Sequence, residues 1–101
     1  MKKYEILLAL EFEEWEDSQT KKSQSQIDDR LAAIADEGHF GDHKSVSDDD
    51  SVWELRWANG RRVYYSYLPK SNVLVLLGGN KNGQKKDIAQ ASNILRKRKD
   101  Y

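Results

Sequence analysis

The chain of 101 residues is long enough for one modest hydrophobic core and too short for two. Its apolar share of 38% beside 34% charged residues excludes a disordered polyelectrolyte, and the lack of cysteine excludes a disulfide framework and a thiolate metal site. The formal net charge of zero conceals an asymmetry: residues 1–54 carry fifteen acids against six bases, a formal −9, whereas residues 55–101 carry eleven bases against two acids, a formal +9. A basic half fits a polyanion or an acidic partner; it equally fits two halves that neutralise each other across the fold.

The first ten residues hold two lysines and a short apolar run, but Glu11, Glu13 and Glu14 follow at once with no small-residue cleavage site. No signal peptide is expected. No apolar run approaches the roughly 20 residues that span a bilayer, so a cytoplasmic protein with no membrane partner is expected. Tyr4–Leu10 reads as a first strand, with the start of a helix as the alternative. Glu11–Ser18 reads as a short helix with Phe12 and Trp15 facing inward. The polar stretch Ser18–Gln26 is either a loop or the exposed first turns of the next helix. From Ile27, apolar positions Ile27, Leu31 and Ile34 recur at helical spacing, and Gly38 ends that helix as a left-handed cap. Gly38–Lys44 is predicted as a loop and Asp48-Asp49-Asp50 as a turn.

Two alternating segments follow. Val52–Trp57 sets Trp53, Leu55 and Trp57 against Val52, Glu54 and Arg56, and Arg62–Tyr67 sets Val63, Tyr65 and Tyr67 against Arg62, Tyr64 and Ser66. A two-residue Asn59-Gly60 turn mixes these faces. A three-residue loop Ala58-Asn59-Gly60 pairs Leu55 with Val63 and sets Arg56 beside Arg62, which is the register expected. After a turn at Lys70–Asn72, Val73–Leu77 is apolar on both faces, as a doubly covered strand is; Gly78-Gly79 is expected to break it. The last helix is predicted from about Gln84 to Lys97, with Ile88, Ala91 and Leu95 inward.

The chemistry sits on that second half. Arg56 and Arg62 on one sheet face form a fork-like clamp for a phosphate, with Lys81 and Lys44 adding charge from flanking loops. Tyr64 shares the face with Arg62 and is placed to stack on a base or to bear on proton transfer; it is also placed as an ordinary packing aromatic. Cross-strand arginines on a solvated face, with Glu54 as neighbour, are the alternative for the pair. His39 and His43 flank Asp42 without a third ligand at fixed spacing, so neither a metal nor any other cofactor is expected. The basic run Arg96–Lys99 reads as a solvated helix end that also suits an approach to RNA.

Four ordered blocks carry a resemblance: Trp53-Glu54-Leu55-Arg56; Arg62-Val63-Tyr64-Tyr65; Leu76-Leu77-Gly78-Gly79-Asn80-Lys81; and Gln84 with Lys86-Asp87-Ile88 and Ala91. With Arg30-Leu31, Gly38–Asp42 and Lys44 upstream, the chain resembles the HigB-like addiction module killer branch of the RelE/ParE superfamily. It departs from that pattern in a shorter hairpin without Gly-Pro-Gly, and in Asn80-Lys81-Asn82-Gly83 where Asp-Lys-Ser-Thr is common. The resemblance implies one α+β domain over residues 1–101: two N-terminal helices packed on a twisted, mainly antiparallel sheet, then a C-terminal helix. It implies a type II toxin neutralised by a cognate antitoxin protein. It further implies either a ribosome-dependent mRNA endonuclease or a non-catalytic inhibitor of DNA gyrase; a degenerate, non-toxic binding module is the third possibility. On the endonuclease reading the catalytic candidates are Arg56, Arg62, Lys81 and Tyr64, and the RNA-binding candidates are Lys44, Gln84, Lys85 and Lys86.

Overall fold

Alternation in the middle of the chain and helical spacing on either side resolve into three helices and five strands in a computed structural model. It describes residues 2–99, Lys99 by its backbone alone, so that side chain of the basic run lies outside the described residues. The order is β1 (Glu5–Leu8), α1 (Leu10–Asp17), α2 (Lys21–Glu37), β2 (His43–Ser45), β3 (Trp53–Arg56), β4 (Arg61–Leu68), β5 (Asn72–Asn80) and α3 (Gln84–Lys99), a single 3₁₀ turn at Lys81–Gly83 leading into α3. The sheet runs β1-β5-β4-β3-β2. β2 to β5 form an antiparallel meander, and β1 joins its far side parallel to β5.

Local chemistry sets the ends of α2. Thr20 caps its start, the side-chain oxygen accepting from Ser23 N at 3.1 Å. Gly38 closes it at φ 68°, a left-handed conformation that glycine adopts without a Cβ clash. The polar stretch after Thr20 is thus the first turns of α2 rather than a loop. Two other expectations are corrected. His43 and Lys44, expected as loop, begin the edge strand His43–Ser45 paired with β3; three polar residues, two exposed and one half-buried, carry no alternation from which to read a strand. Gly78-Gly79 does not break β5, which continues to Asn80. These glycines admit side chains from both layers: a Cβ on Gly78 would overlap the Trp15 ring, and one on Gly79 would overlap the Asp87 carboxyl.

Each sheet face has its own core. Phe12 of α1 and Ile27, Leu31 and Ile34 of α2 pack on Leu55, Val63, Tyr65, Val73 and Val75. On the reverse face Ala91, Ile94 and Leu95 of α3 pack on Val52, Tyr64, Leu74, Leu76 and Leu77. β5 serves both cores, which explains its unbroken apolar run. A register shift opposite Tyr64/Tyr65 lets Leu76 and Leu77 both reach the α3 side. Burying a side chain of this size contributes about 1.5–3 kcal/mol, so losing either helix layer would unmake the sheet. Among the described residues no helix is long and apolar enough to cross a membrane.

Candidate functional site

The β3–β4 hairpin closes through Ala58-Asn59-Gly60. Trp57 N donates to Arg61 O at 3.1 Å, Gly60 N donates to Trp57 O at 3.1 Å, and Gly60 takes φ 96°. This turn pairs Leu55 with Val63 and Arg56 with Arg62. The two guanidinium groups therefore leave the sheet side by side on the face that α3 covers.

Glu54 lies between them. It is wholly buried, with Oε1 3.3 Å from Arg56 Nε and 3.4 Å from Arg62 Nε, and Oε2 accepts from Gln84 Nε2 at 2.7 Å. The two arginine contacts are ion pairs without hydrogen-bond alignment. One carboxylate thus neutralises two arginines and ties the first residue of α3 to the sheet. The arginines differ in exposure: the Arg56 side chain is 38% exposed and that of Arg62 only 9%. Arg62 Nη1 also donates to Arg61 O at 2.9 Å and Trp57 O at 3.3 Å, so one arm of its fork is spent on the hairpin backbone. Tyr64 is completely buried with no partner for its hydroxyl. Burial first, then the Glu54 carboxylate, raises that phenol far above its ordinary pKa and keeps it protonated.

The lysines occupy the open rim. Lys81 follows β5 directly, its N donates to Gly60 O at 2.8 Å, its aliphatic stem lies along Gly60, and it is exposed. Lys44 is the cross-strand partner of Glu54 on edge strand β2, beside the arginine pair, and is exposed, as are Lys85 and Lys86 in the first turn of α3. Gln84 is half-buried through its bond to Glu54. The structure thus gathers Arg56, Arg62, Lys81, Gln84 and Lys44 at one end of the sheet, with Arg62 and Tyr64 beneath its surface. A rim of four lysines and one arginine concentrates positive charge; among the described residues it holds no imidazole, since His43 faces the other side of the sheet, its ring 5.4 Å from Phe40 and 5.9 Å from Trp53.

Sequence reasoning missed two organising residues. Glu54 appeared as a mere neighbour, although a carboxylate amid Trp53, Leu55 and two arginines on an apolar strand needs a buried counter-charge. Arg30 was noted only for its place in a motif. Its guanidinium donates to Arg56 O at 2.6 Å, Phe40 O at 2.7 Å and Asp42 O at 3.0 Å while lying 4.2 Å from the centroid of Trp57. It pins α2, the Gly41 loop and the end of β3 together and so fixes the backbone that carries Arg56.

A helical hairpin on one face of this sheet and α3 on the other, with a basic rim at the β3–β4 turn, make up a RelE-like fold. The chain belongs to the family described as "Phage derived protein Gp49-like (DUF891)", whose model matches residues 14–99. It is 36% identical over 91 residues to an uncharacterised protein of Haemophilus influenzae, covering 86% of this chain and 88% of that one. Its fold matches a mutant of the E. coli toxin RelE in the free state with a TM-score of 0.69 at 13% identity, over 97% of this chain and 98% of the other. It also matches the intact E. coli RelBE toxin–antitoxin complex, with a TM-score of 0.60 at 11% identity over 76% of this chain and 95% of the other. A toxin–antitoxin complex from Mycobacterium tuberculosis gives a TM-score of 0.55 at 13% identity over 76% and 96%.

Proposed function

We propose that the chain is the toxin of a type II toxin–antitoxin pair, held inactive by a cognate antitoxin, and that it cleaves mRNA on the ribosome. The observation that carries this reading is the convergence of Arg56, Lys81 and Lys44 on one rim around the Glu54 hub. The RelBE complexes among the structural relatives support the antitoxin partner.

Cleavage of RNA by its own 2′-hydroxyl forms a bond from that oxygen to phosphorus as its proton passes to water, breaks the bond to the 5′-oxygen, which takes a proton from water and departs as a 5′-hydroxyl, and leaves a 2′,3′-cyclic phosphate. Negative charge grows on the phosphoryl oxygens and on the departing oxygen. Arg56 and Lys81, one held by Glu54 and the other beside Gly60, are the groups that stabilise it, and fixed charge of this kind is the largest contributor to many such reactions. Lys44, Lys85 and Lys86 hold the flanking backbone. Arg62 acts from below by fixing the hairpin and sharing Glu54. Tyr64, buried and protonated beneath α3, lies out of reach of RNA in this arrangement and contributes through packing.

The test is to induce the chain in cells and map mRNA ends. New ends in translated transcripts, lost in the Arg56→Ala and Lys81→Ala variants, are expected; growth arrest with intact transcripts would sink the reading. The burial of Arg62 and Tyr64 favours a second reading, in which the basic rim docks on a protein such as DNA gyrase and cuts nothing. DNA-damage signalling with translation intact distinguishes it, and harmless overexpression marks a non-toxic binding module.

A further inference from the structure

On the face opposite the Glu54 hub, next along β4 from Arg62, Arg61 points the other way. The residue is 9% exposed, with Nη1 donating to Gln26 Oε1 at 3.1 Å and Nη2 to Ser23 Oγ at 2.9 Å, and its guanidinium lies 5.4 Å from the centroid of the Trp57 ring. All these partners are neutral. Among the described residues the only ion pairs within 4.0 Å are the two made by Glu54, so Arg61 is a nearly buried cation without an anion. Such a group is costly unless a counter-charge reaches it.

Arg61 borders an open cavity of about 330 Å³ between α1, α2 and the ends of β4 and β5, with Trp15, Ser23, Asn59 and Asn80 among its walls and no carboxylate lining it. The two asparagines are oriented by their own backbones. Asn59 Oδ1 accepts from Arg61 N at 3.0 Å and Asn80 Oδ1 from Asn82 N at 2.9 Å, which leaves both side-chain NH₂ groups as donors without protein partners among the described residues. The Ser23 hydroxyl accepts from Arg61 and keeps its own proton to give. The unspent groups of Asn59, Asn80 and Ser23 all donate; Gln19, also on the wall, has its Nε2 spent on Trp15 O at 3.2 Å and is the one lining side chain left with an acceptor.

We propose that this cavity is a phosphate-binding site, in which the Arg61 fork takes two oxygens and the Asn59, Asn80 and Ser23 donors take the remainder. A tetrahedral phosphate carries more oxygens than the fork engages and points them out of the plane of the fork toward donors on several sides, whereas both oxygens of a planar carboxylate lie in that plane. The cavity exceeds a bare phosphate, so the ligand is a phosphate carried on a larger body: a free nucleotide, or a phosphodiester within an RNA strand. The site lies across the sheet from the Arg56 rim and stands whether or not that rim cleaves RNA.

The test uses the purified full chain labelled with ¹⁵N, titrated at constant ionic strength with inorganic phosphate, adenosine 5′-monophosphate and a single-stranded RNA trinucleotide. Phosphate-bearing ligands are expected to shift the Arg61 Nε–H and the Gly79 and Asn80 amide signals in a saturable manner, while chloride shifts none. Tighter binding of the trinucleotide than of the mononucleotide assigns the site to an RNA strand; the reverse assigns it to a free nucleotide. Arg61→Gln should weaken binding at least tenfold. Asn59→Asp and Asn80→Asp keep each backbone-accepting oxygen while replacing an NH₂ by negative charge, so they fold as the parent and should abolish binding. No saturable shift at these signals with any phosphate ligand, or binding unaltered in the two Asp variants, would overturn the assignment.

Discussion

Removing the Glu54 carboxylate tests the physical account of the rim. In Glu54→Ala, Arg56 loses a partner but is exposed enough to be solvated, so that contact is worth at most about 1 kcal/mol. Arg62 cannot follow, because only 9% of its side chain is exposed. Breaking a buried pair from one side costs about 3–5 kcal/mol, chiefly through the stranded charge. Against a total stability of roughly 5–15 kcal/mol, this is about a fifth or more of the folding free energy, and it lowers the thermal midpoint by at least about 12 °C at roughly 4 °C or more per kcal/mol. Glu54→Gln keeps the shape and an acceptor for Gln84 but drops the charge, placing it between alanine and wild type. The double variant Glu54→Leu with Arg62→Met removes both buried charges and should recover most of the loss. Urea unfolding followed by tryptophan fluorescence measures all three. If Glu54→Ala unfolds with the wild type, or the double variant is no more stable than Glu54→Ala, the buried hub is not what holds the rim together.

Other outcomes follow from the same geometry. Gly78→Ala and Gly79→Ala force Trp15 or Asp87 to move and should each cost about 1–3 kcal/mol in the same unfolding assay. Lys81→Ala, at an exposed position, should change stability by no more than about 0.5 kcal/mol yet lower mRNA cleavage by about 100-fold, as quantified from transcript ends. Burial, followed by a hydrogen bond and charge from Asp28, pushes the Glu16 carboxyl up to about 7. Its folded pKa exceeds its unfolded one, so its contribution is intact below about 4.5 and is lost as pH rises to about 7. Stability in that window should fall with pH, and Glu16→Gln should flatten that part of the curve.

The sheet register was legible because two independent signals agreed. Gly60, able to take positive φ, fixed the loop length, and the apolar faces of Trp53–Trp57 and Val63–Tyr67 then matched in one alignment only. The cap at Gly38 was legible for the same local reason. What covers a face was not. Alternation tells that Val52, Glu54, Tyr64 and Arg62 share a side, but the same pattern serves a solvated surface and one buried under a helix. The mistaken end of β5 has the same origin, since Gly78-Gly79 signals a break until Trp15 and Asp87 are seen against it. Charge was read correctly as an asymmetry between halves and incompletely as geometry. Glu54 belongs to the acidic half by sequence and to the basic rim by structure.

Arg61 and Arg62 draw out the consequence of period two in a strand. As successive residues they leave opposite faces, and both are almost wholly buried. Arg62 finds a carboxylate and the carbonyls of its own hairpin; Arg61 finds a hydroxyl, an amide and a polar cavity. A strand stabilised only by its core would have no use for either, because an apolar residue of similar volume avoids the desolvation penalty. The hairpin keeps two buried cations, one with its anion inside the fold and one whose anion has to come from outside. That difference separates a group that shapes the site from a group that awaits a ligand. It predicts that replacing the Arg61 side chain changes binding far more than folding, and that replacing the Arg62 side chain does the opposite.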